Sequence, residues 1–187
     1  MSDTTNNWHR HTFTALVANR PGVLARVASL FSRRGFNIDS LAVSTTQDPD
    51  LSRISLVVSG DDRILEQVSK QLNKLIDVVR VSDLTRVETV ERELVLIKVA
   101  AGPAQRQEVL SIISVFRAQV VDVGEKSMII EVIGQQEKLD AIERLLKRYG
   151  ILEIVRTGKV VLVRGEKNNL IFCVVGQGLL SREFYLL

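Results

Sequence analysis

The sequence predicts an α+β protein made of two tandem copies of one split βαβ unit. Each copy runs strand, helix, strand, strand, helix, strand (βαββαβ), an antiparallel sheet carrying both helices on one face. Two observations lead there. Apolar residues switch between a period of 2 and a period of 3.6 in that order, and the order repeats. The second helices also share one apolar register: Leu65, Val68 and Leu72 in the first copy match Leu139, Ile142 and Leu146 in the second at a constant interval.

The opening "MSDTTNNWHRHT" is polar, and residues 1–11 read as a flexible arm. "HTFTALVANR" is rich in Thr, Phe and Val and stops at an Asn and a Pro, the pattern of a strand running into a turn. Val23, Leu24, Val27, Leu30 and Phe31 then line one helical face. Arg33 and Arg34 suit the negative end of the helix dipole, and Gly35 supplies the left-handed residue that stops the helix. "FNIDSLAVSTT" and "SRISLVVSG" make a hairpin across "QDPDL", with Ile54, Leu56 and Val58 alternating against Arg53, Ser55 and Ser59. "DDRILEQVSKQLNKL" is the second helix, adding Leu75 to its apolar side, and "VVRVSDLTRV" the closing strand of a domain over residues 12–87.

Beyond the linking "VERE" the order begins again over residues 88–165. "ELVLIKVA" is a strand and "PAQRQEVLSIISVF" a helix opened by Pro103. "AQVVDVG" and "SMIIEVIG" pair across Glu125 and Lys126, "EKLDAIERLLKRY" is a helix, and "ILEIVRTGKVVLVRG" closes the unit. In "LVLIKV" both strand faces are apolar, Leu94 and Leu96 on one and Val95, Ile97 and Val99 on the other. A one-sided sheet would leave one face wet, so another sheet, domain or subunit is expected to cover it.

With 187 residues and 45% hydrophobic content the chain can bury real cores without staples. A net charge of +3, with basic and acidic residues interleaved, demands neither a nucleic-acid nor a membrane partner. Lone Cys173 rules out an intramolecular disulfide, no apolar run approaches the ~20 residues that cross a bilayer, and the opening lacks the apolar core of a secretory signal. These features read as cytoplasmic.

No catalytic constellation emerges. His9 and His11 form an H-x-H pair in the expected arm with no third ligand at metal spacing. Cys173 lacks a nearby His, and Glu91 and Glu93 lack the contrasting environments that an acid and base pair needs. "GQGLLS" imitates a dinucleotide fingerprint but leaves no room for its helix, second strand and acidic residue about 20 positions on. The split βαβ unit also binds RNA, through exposed aromatics on its central strands; this sequence, 5% aromatic, offers Ile54, Leu56, Val58, Leu94 and Leu96 there instead.

The segment "NRPGVL" admits two readings. The first N–H groups of a helix lack internal partners and favour a carboxylate. Pro21 starts the helix without wasting a donor, Gly22 lets a ligand approach the backbone, and Val23 and Leu24 add apolar contact, which together suit an aliphatic amino acid. Alternatively this is an ordinary Pro-Gly helix start capped by Asn19.

Taken with their surroundings, these residues carry a resemblance that favours the first reading. "NRPGVLARVASLFSRRGFNIDSLAVSTTQDPDLSRISLVVSGDD", "LEQVSKQLNKLIDVVRVSDL" and "VERELVLIKV" closely resemble the small regulatory subunit of acetohydroxyacid (acetolactate) synthase, over residues 12 to about 165. The resemblance implies two tandem ferredoxin-like units, the first an ACT domain and the second ACT-like. It implies a non-catalytic subunit that binds and activates a large catalytic subunit and confers feedback inhibition by valine. Thiamine diphosphate, Mg2+ and FAD would belong to that large subunit. Valine would lie between two ACT domains of a homodimer, with Asn19, Gly22, Val23 and Leu24 presenting the loop and helix end and Asn37 and Ile38 of the facing subunit closing the pocket. The amide of Asn37 offers both a donor and an acceptor to a zwitterion. A free-standing ACT-type amino-acid sensor acting on another enzyme or transcription factor is the alternative. The stretch 166–187, "EKNNLIFCVVGQGLLSREFYLL", is atypical: from residue 168 it has no counterpart in the resemblance, and "LIFCVV" is an aggregation risk if left unpaired.

Overall fold

The computed structural model describes residues 9–165, and for 62–65 only the backbone. Leu65 therefore lies outside the described side chains, and Cys173, "GQGLLS" and the stretch 166–187 outside the described residues.

The first unit comprises β1 (His9–Ala18), α1 (Val23–Arg33), β2 (Ile38–Thr45), β3 (Leu51–Gly60), α2 (Asp62–Leu72) and β4 (Val78–Asp83). Its sheet is antiparallel in the order β2-β3-β1-β4, so β2 and β4 are the edges. The second unit repeats this with β5 (Thr89–Ala100), α3 (Arg106–Val115), β6 (Gln119–Val123), β7 (Ser127–Gly134), α4 (Gln136–Leu146) and β8 (Ile151–Arg156), in the order β6-β7-β5-β8. These are the two tandem ferredoxin-like units expected from the repeated order.

Burial follows the apolar register. Val23, Val27, Leu30 and Phe31 of α1 and Val68 and Leu72 of α2 pack with Phe13, Ala15 and Val17 of β1 and Ile54, Leu56 and Val58 of β3. Leu75 packs against the edge of that core, whereas Leu24, expected on the same face as Val23, is 42% exposed. The second core joins Val95, Ile97 and Val99 to Met128, Ile130, Val132, Leu139, Ile142 and Leu146. Each large aliphatic side chain fully buried there contributes about 1.5–3 kcal/mol relative to exposure.

The structure departs from the expected elements in four places. His9 and His11 belong to β1 and not to an arm. His11 is buried, its Nε2 3.0 Å from the Gly60 carbonyl oxygen, because strand pairing with β3 runs on to His9 opposite Gly60. Helix α3 begins at Arg106, after a turn containing Pro103; Arg106 donates from Nη2 to the Glu125 carbonyl at 2.8 Å, tying the helix start to the β6–β7 turn. The link "VERE" is itself strand, since β5 begins at Thr89. Finally, the closing strand is broken at Gly158 (φ +83°), so that β9 (Val160–Val163) leaves β8 and pairs with the first residues of β5, Thr89–Arg92.

That break brings the two units together. The Lys159 amide donates to Ser40 Oγ on β2 at 2.9 Å, and Gly158 lies against the Leu41 carbonyl. On the helix-free face of the first sheet the cross-strand partners Thr12 and Val57 are buried, as is Ser55. On the corresponding face of the second sheet Leu94 and Leu96 are half-buried, while Ile133 and Val155 are exposed.

Candidate functional site

The β1–α1 loop is built by long-range hydrogen bonds. Ala18 donates its amide to the Asp77 carbonyl at 2.8 Å and Asn19 its amide to the Asp50 carbonyl at 2.7 Å. The Asn19 side chain then donates from Nδ2 to the Pro49 carbonyl at 2.8 Å. Asn19 thus clamps the loop to the β2–β3 turn and does not cap α1. The residue at the cap position is Gly22, in the left-handed region at φ +87°, where no side-chain cap reaches the helix. A left-handed residue costs an L side chain about 1–2 kcal/mol, which is why glycine stands there.

The backbone ladder of α1 starts with Arg26 donating to the Gly22 carbonyl at 3.0 Å, and the first turn carries no acidic residue. The Val23 amide turns back to the Arg20 carbonyl at 3.4 Å, so the amides that carry partial positive charge at the loop surface are those that follow it, at Leu24 and Ala25. Val23 is buried in the core, so only its backbone borders the loop; Leu24 and Gly22 are exposed. Arg26 adds a residue that the sequence reading missed. One of its guanidinium nitrogens pairs with Asp77 at 2.5 Å, and the other, Nη2, lies 3.9 Å from where a Gly22 Cβ would stand. A cation one helical turn beyond a bare helix end is legible in sequence as a basic residue four positions after the glycine; its direction toward the loop is not.

Asn37 and Ile38 stand where α1 hands over to β2, after Gly35 (φ +69°) ends the helix and Phe36 packs edge-on against Phe31. Asn37 is exposed and Ile38 half-buried. Asn37 Nδ2 donates to Asp39 Oδ1 at 2.8 Å, Asp39 Oδ2 accepts a short bond from Ser59 Oγ, and Arg10 Nε lies 3.9 Å from the same oxygen.

Elsewhere the charged groups serve the scaffold. Glu91 pairs with Lys159 at 2.8 Å, and Glu93 lies 3.8 Å from Arg156, which also binds Asp140 at 3.0 Å and Glu143 at 2.6 Å. Burial works against the Arg156 charge, yet the hydrogen bonds it donates to Glu143 and Asp140, with the charges of Glu93 and Glu143, outweigh that and hold the guanidinium pKa above its ordinary value. Among the described residues no helix is long and apolar enough to cross a membrane.

Two tandem βαββαβ units of this topology, the first with a bare helix end beside its β1–α1 loop, define a tandem ACT-type module. Residues 13–80 match the family model described as an AHAS small subunit-like ACT domain, and residues 92–165 match that of the small subunit of acetolactate synthase. A probable acetolactate synthase small subunit from Archaeoglobus fulgidus is 56% identical over 158 residues, covering 84% of this chain and 99% of its own. The acetolactate synthase small subunit of Mycolicibacterium smegmatis is 50% identical over 162 residues, covering 87% of this chain and 95% of its own. The crystal structure of the small subunit from Thermotoga maritima superposes with a TM-score of 0.78 at 41% identity, over 84% of this chain and 98% of that one. The chain belongs to the acetolactate synthase small-subunit family, the regulatory subunits of an enzyme of branched-chain amino-acid biosynthesis.

Proposed function

We propose that this chain binds and activates a large catalytic subunit of acetolactate synthase and confers feedback inhibition by valine. The observation that carries the effector half of this reading is the β1–α1 loop. It has a left-handed glycine, a helix end without an acidic residue, and an arginine nitrogen beside the same glycine. A carboxylate is favoured at such an end, and exposed Leu24 offers an aliphatic side chain a partner. In the homodimer proposed here, Asn19, Gly22, Val23 and Leu24 of one ACT domain face Asn37 and Ile38 of its partner. Val23 contributes backbone only. Edge strand β2, which begins at Ile38, supports a dimer formed through this domain. The chain is cytoplasmic and non-catalytic in this reading, and thiamine diphosphate, Mg2+ and FAD act in the large subunit.

Regulation then requires only coupling. Valine favours one dimer arrangement, the catalytic subunit responds to it, and a coupling free energy of ~1–3 kcal/mol gives a several-fold or larger effect. The deciding experiment measures acetolactate formation by the cognate large subunit alone, with this chain, and with this chain plus valine, leucine or isoleucine. Stimulation that valine reverses supports the reading. Absence of stimulation by folded chain would point instead to a free-standing ACT-type sensor. Asn37→Ala is expected to weaken valine inhibition at least tenfold while sparing stimulation; intact inhibition would displace Asn37 from the pocket.

A further inference from the structure

The geometry points to Asp39 as the positioning residue that turns Asn37 into a hydrogen-bond acceptor and so selects an effector bearing an α-ammonium group. This inference rests on the effector site proposed above and adds to it the orientation in which the effector is held.

The backbone aims Asp39. In the β2–β3 ladder Ile38 stands opposite Val58 and Ser40 opposite Val57, so Asp39 is the extra residue of a register shift. An inserted residue of this kind bends the strand and re-aims its side chain. Here the carboxylate turns to two neighbours at once: Oδ1 accepts from Asn37 Nδ2 at 2.8 Å, and Oδ2 accepts from Ser59 Oγ on the adjacent β3. Arg10 of β1 stands 3.9 Å from Oδ2, and the Asp39 side chain is only 20% exposed. The carboxylate is therefore held by groups from two other strands.

Its chemistry then dictates the orientation of Asn37. A carboxylate only accepts hydrogen bonds, whereas an amide has one accepting and one donating end. The end of Asn37 that meets Asp39 must be the NH2 group, and Oδ1 is left on the side away from it. Asn37 is exposed, so that oxygen is available to a ligand. An acceptor backed by a negative carboxylate suits an ammonium group; the bare end of α1 with Arg26 suits a carboxylate. The zwitterion is thereby oriented, its ammonium on Asn37 and its carboxylate on the α1 end of the facing subunit.

The test is titration calorimetry of the full chain with L-valine and with 2-hydroxy-3-methylbutanoate, which replaces the ammonium by a hydroxyl. Wild type should prefer valine by at least tenfold. In Asp39→Asn the new side chain can donate as well as accept, Asn37 is free to turn over, and that preference should collapse, because valine weakens while the hydroxy acid holds or improves. Ser59→Ala retains the carboxylate and should keep the preference. The double variant N37A/D39N should discriminate no less than N37A alone, since Asp39 acts through Asn37. Parallel weakening of both ligands in D39N, or an unchanged preference, would overturn the role of Asp39 while leaving the effector site in place. Failure of wild-type chain to bind valine at all would overturn the site and this inference together.

Discussion

Replacing Ile97 with alanine is expected to destabilise the second unit by about 2–5 kcal/mol, a large part of the 5–15 kcal/mol that holds a typical domain folded. Ile97 is fully buried at the middle of β5, between Ile130 of β7 and Ile154 of β8, and belongs to the core beneath α3 and α4. Truncation removes the transfer free energy of the lost carbons and leaves a cavity that a close-packed sheet fills only in part. Leu96 is the control. It is the next residue, but it faces the helix-free side and is half-buried, so Leu96→Ala should cost no more than about 1 kcal/mol. Urea unfolding of the three proteins checks this through their midpoints at constant slope. Equal losses at both positions would mean that the helix-free face is as dry as the core in solution.

Gly158→Val should act at longer range. At φ +83° a β-branched residue is strained by about 1–3 kcal/mol, and its Cβ would stand 2.9 Å from the Leu41 carbonyl oxygen and 3.0 Å from Ser40 Oγ. The obstruction is backbone, which cannot swing aside. The β8–β9 turn must therefore withdraw from β2, breaking the Lys159 to Ser40 bond that joins residues 119 positions apart. Ser40 follows Ile38 closely on the strand that begins in the proposed pocket, so the variant should lose valine inhibition at least fivefold as well as stability. Gly150→Ala separates the two effects. Gly150 also has a positive φ, of +91°, but a Cβ there meets only the Ala100 side chain at an ordinary 3.7 Å. It should lower the thermal midpoint and leave the valine response intact. A Gly158→Val protein with normal valine inhibition would show that this contact carries no signal.

Local periodicity is enough to specify the order of the elements and the buried faces of most of them. A buried helix face is written in residues one turn apart and a buried strand face in alternate residues, so Val27, Phe31, Leu56, Val68 and Ile142 were legible from their near neighbours alone. β5 is apolar on both faces, and only the packing of α3 and α4 makes the Ile97 face the core. Gly35 was legible for the same reason, since a helix stop is a local property of the backbone. The loop at Gly22 was legible as a bare helix end, but not how it is held. Asn19 looked like a cap because capping residues share its chemistry; the β2–β3 turn supplies a carbonyl, and the side chain goes there instead. His9 and His11, expected in a flexible arm over residues 1–11, are strand because β3 extends far enough to pair with them, which neither residue announces; residues 1–8 of that arm lie outside the described residues. Long-range packing sets which end of the Asn37 amide faces outward, that Arg26 reaches back to Gly22, and that β9 leaves β8 to join β5 and bring Lys159 against β2. Each depends on groups from separate strands meeting at hydrogen-bond distance. Periodicity specifies which face of an element is buried, but not which distant polar atom will lie beside it.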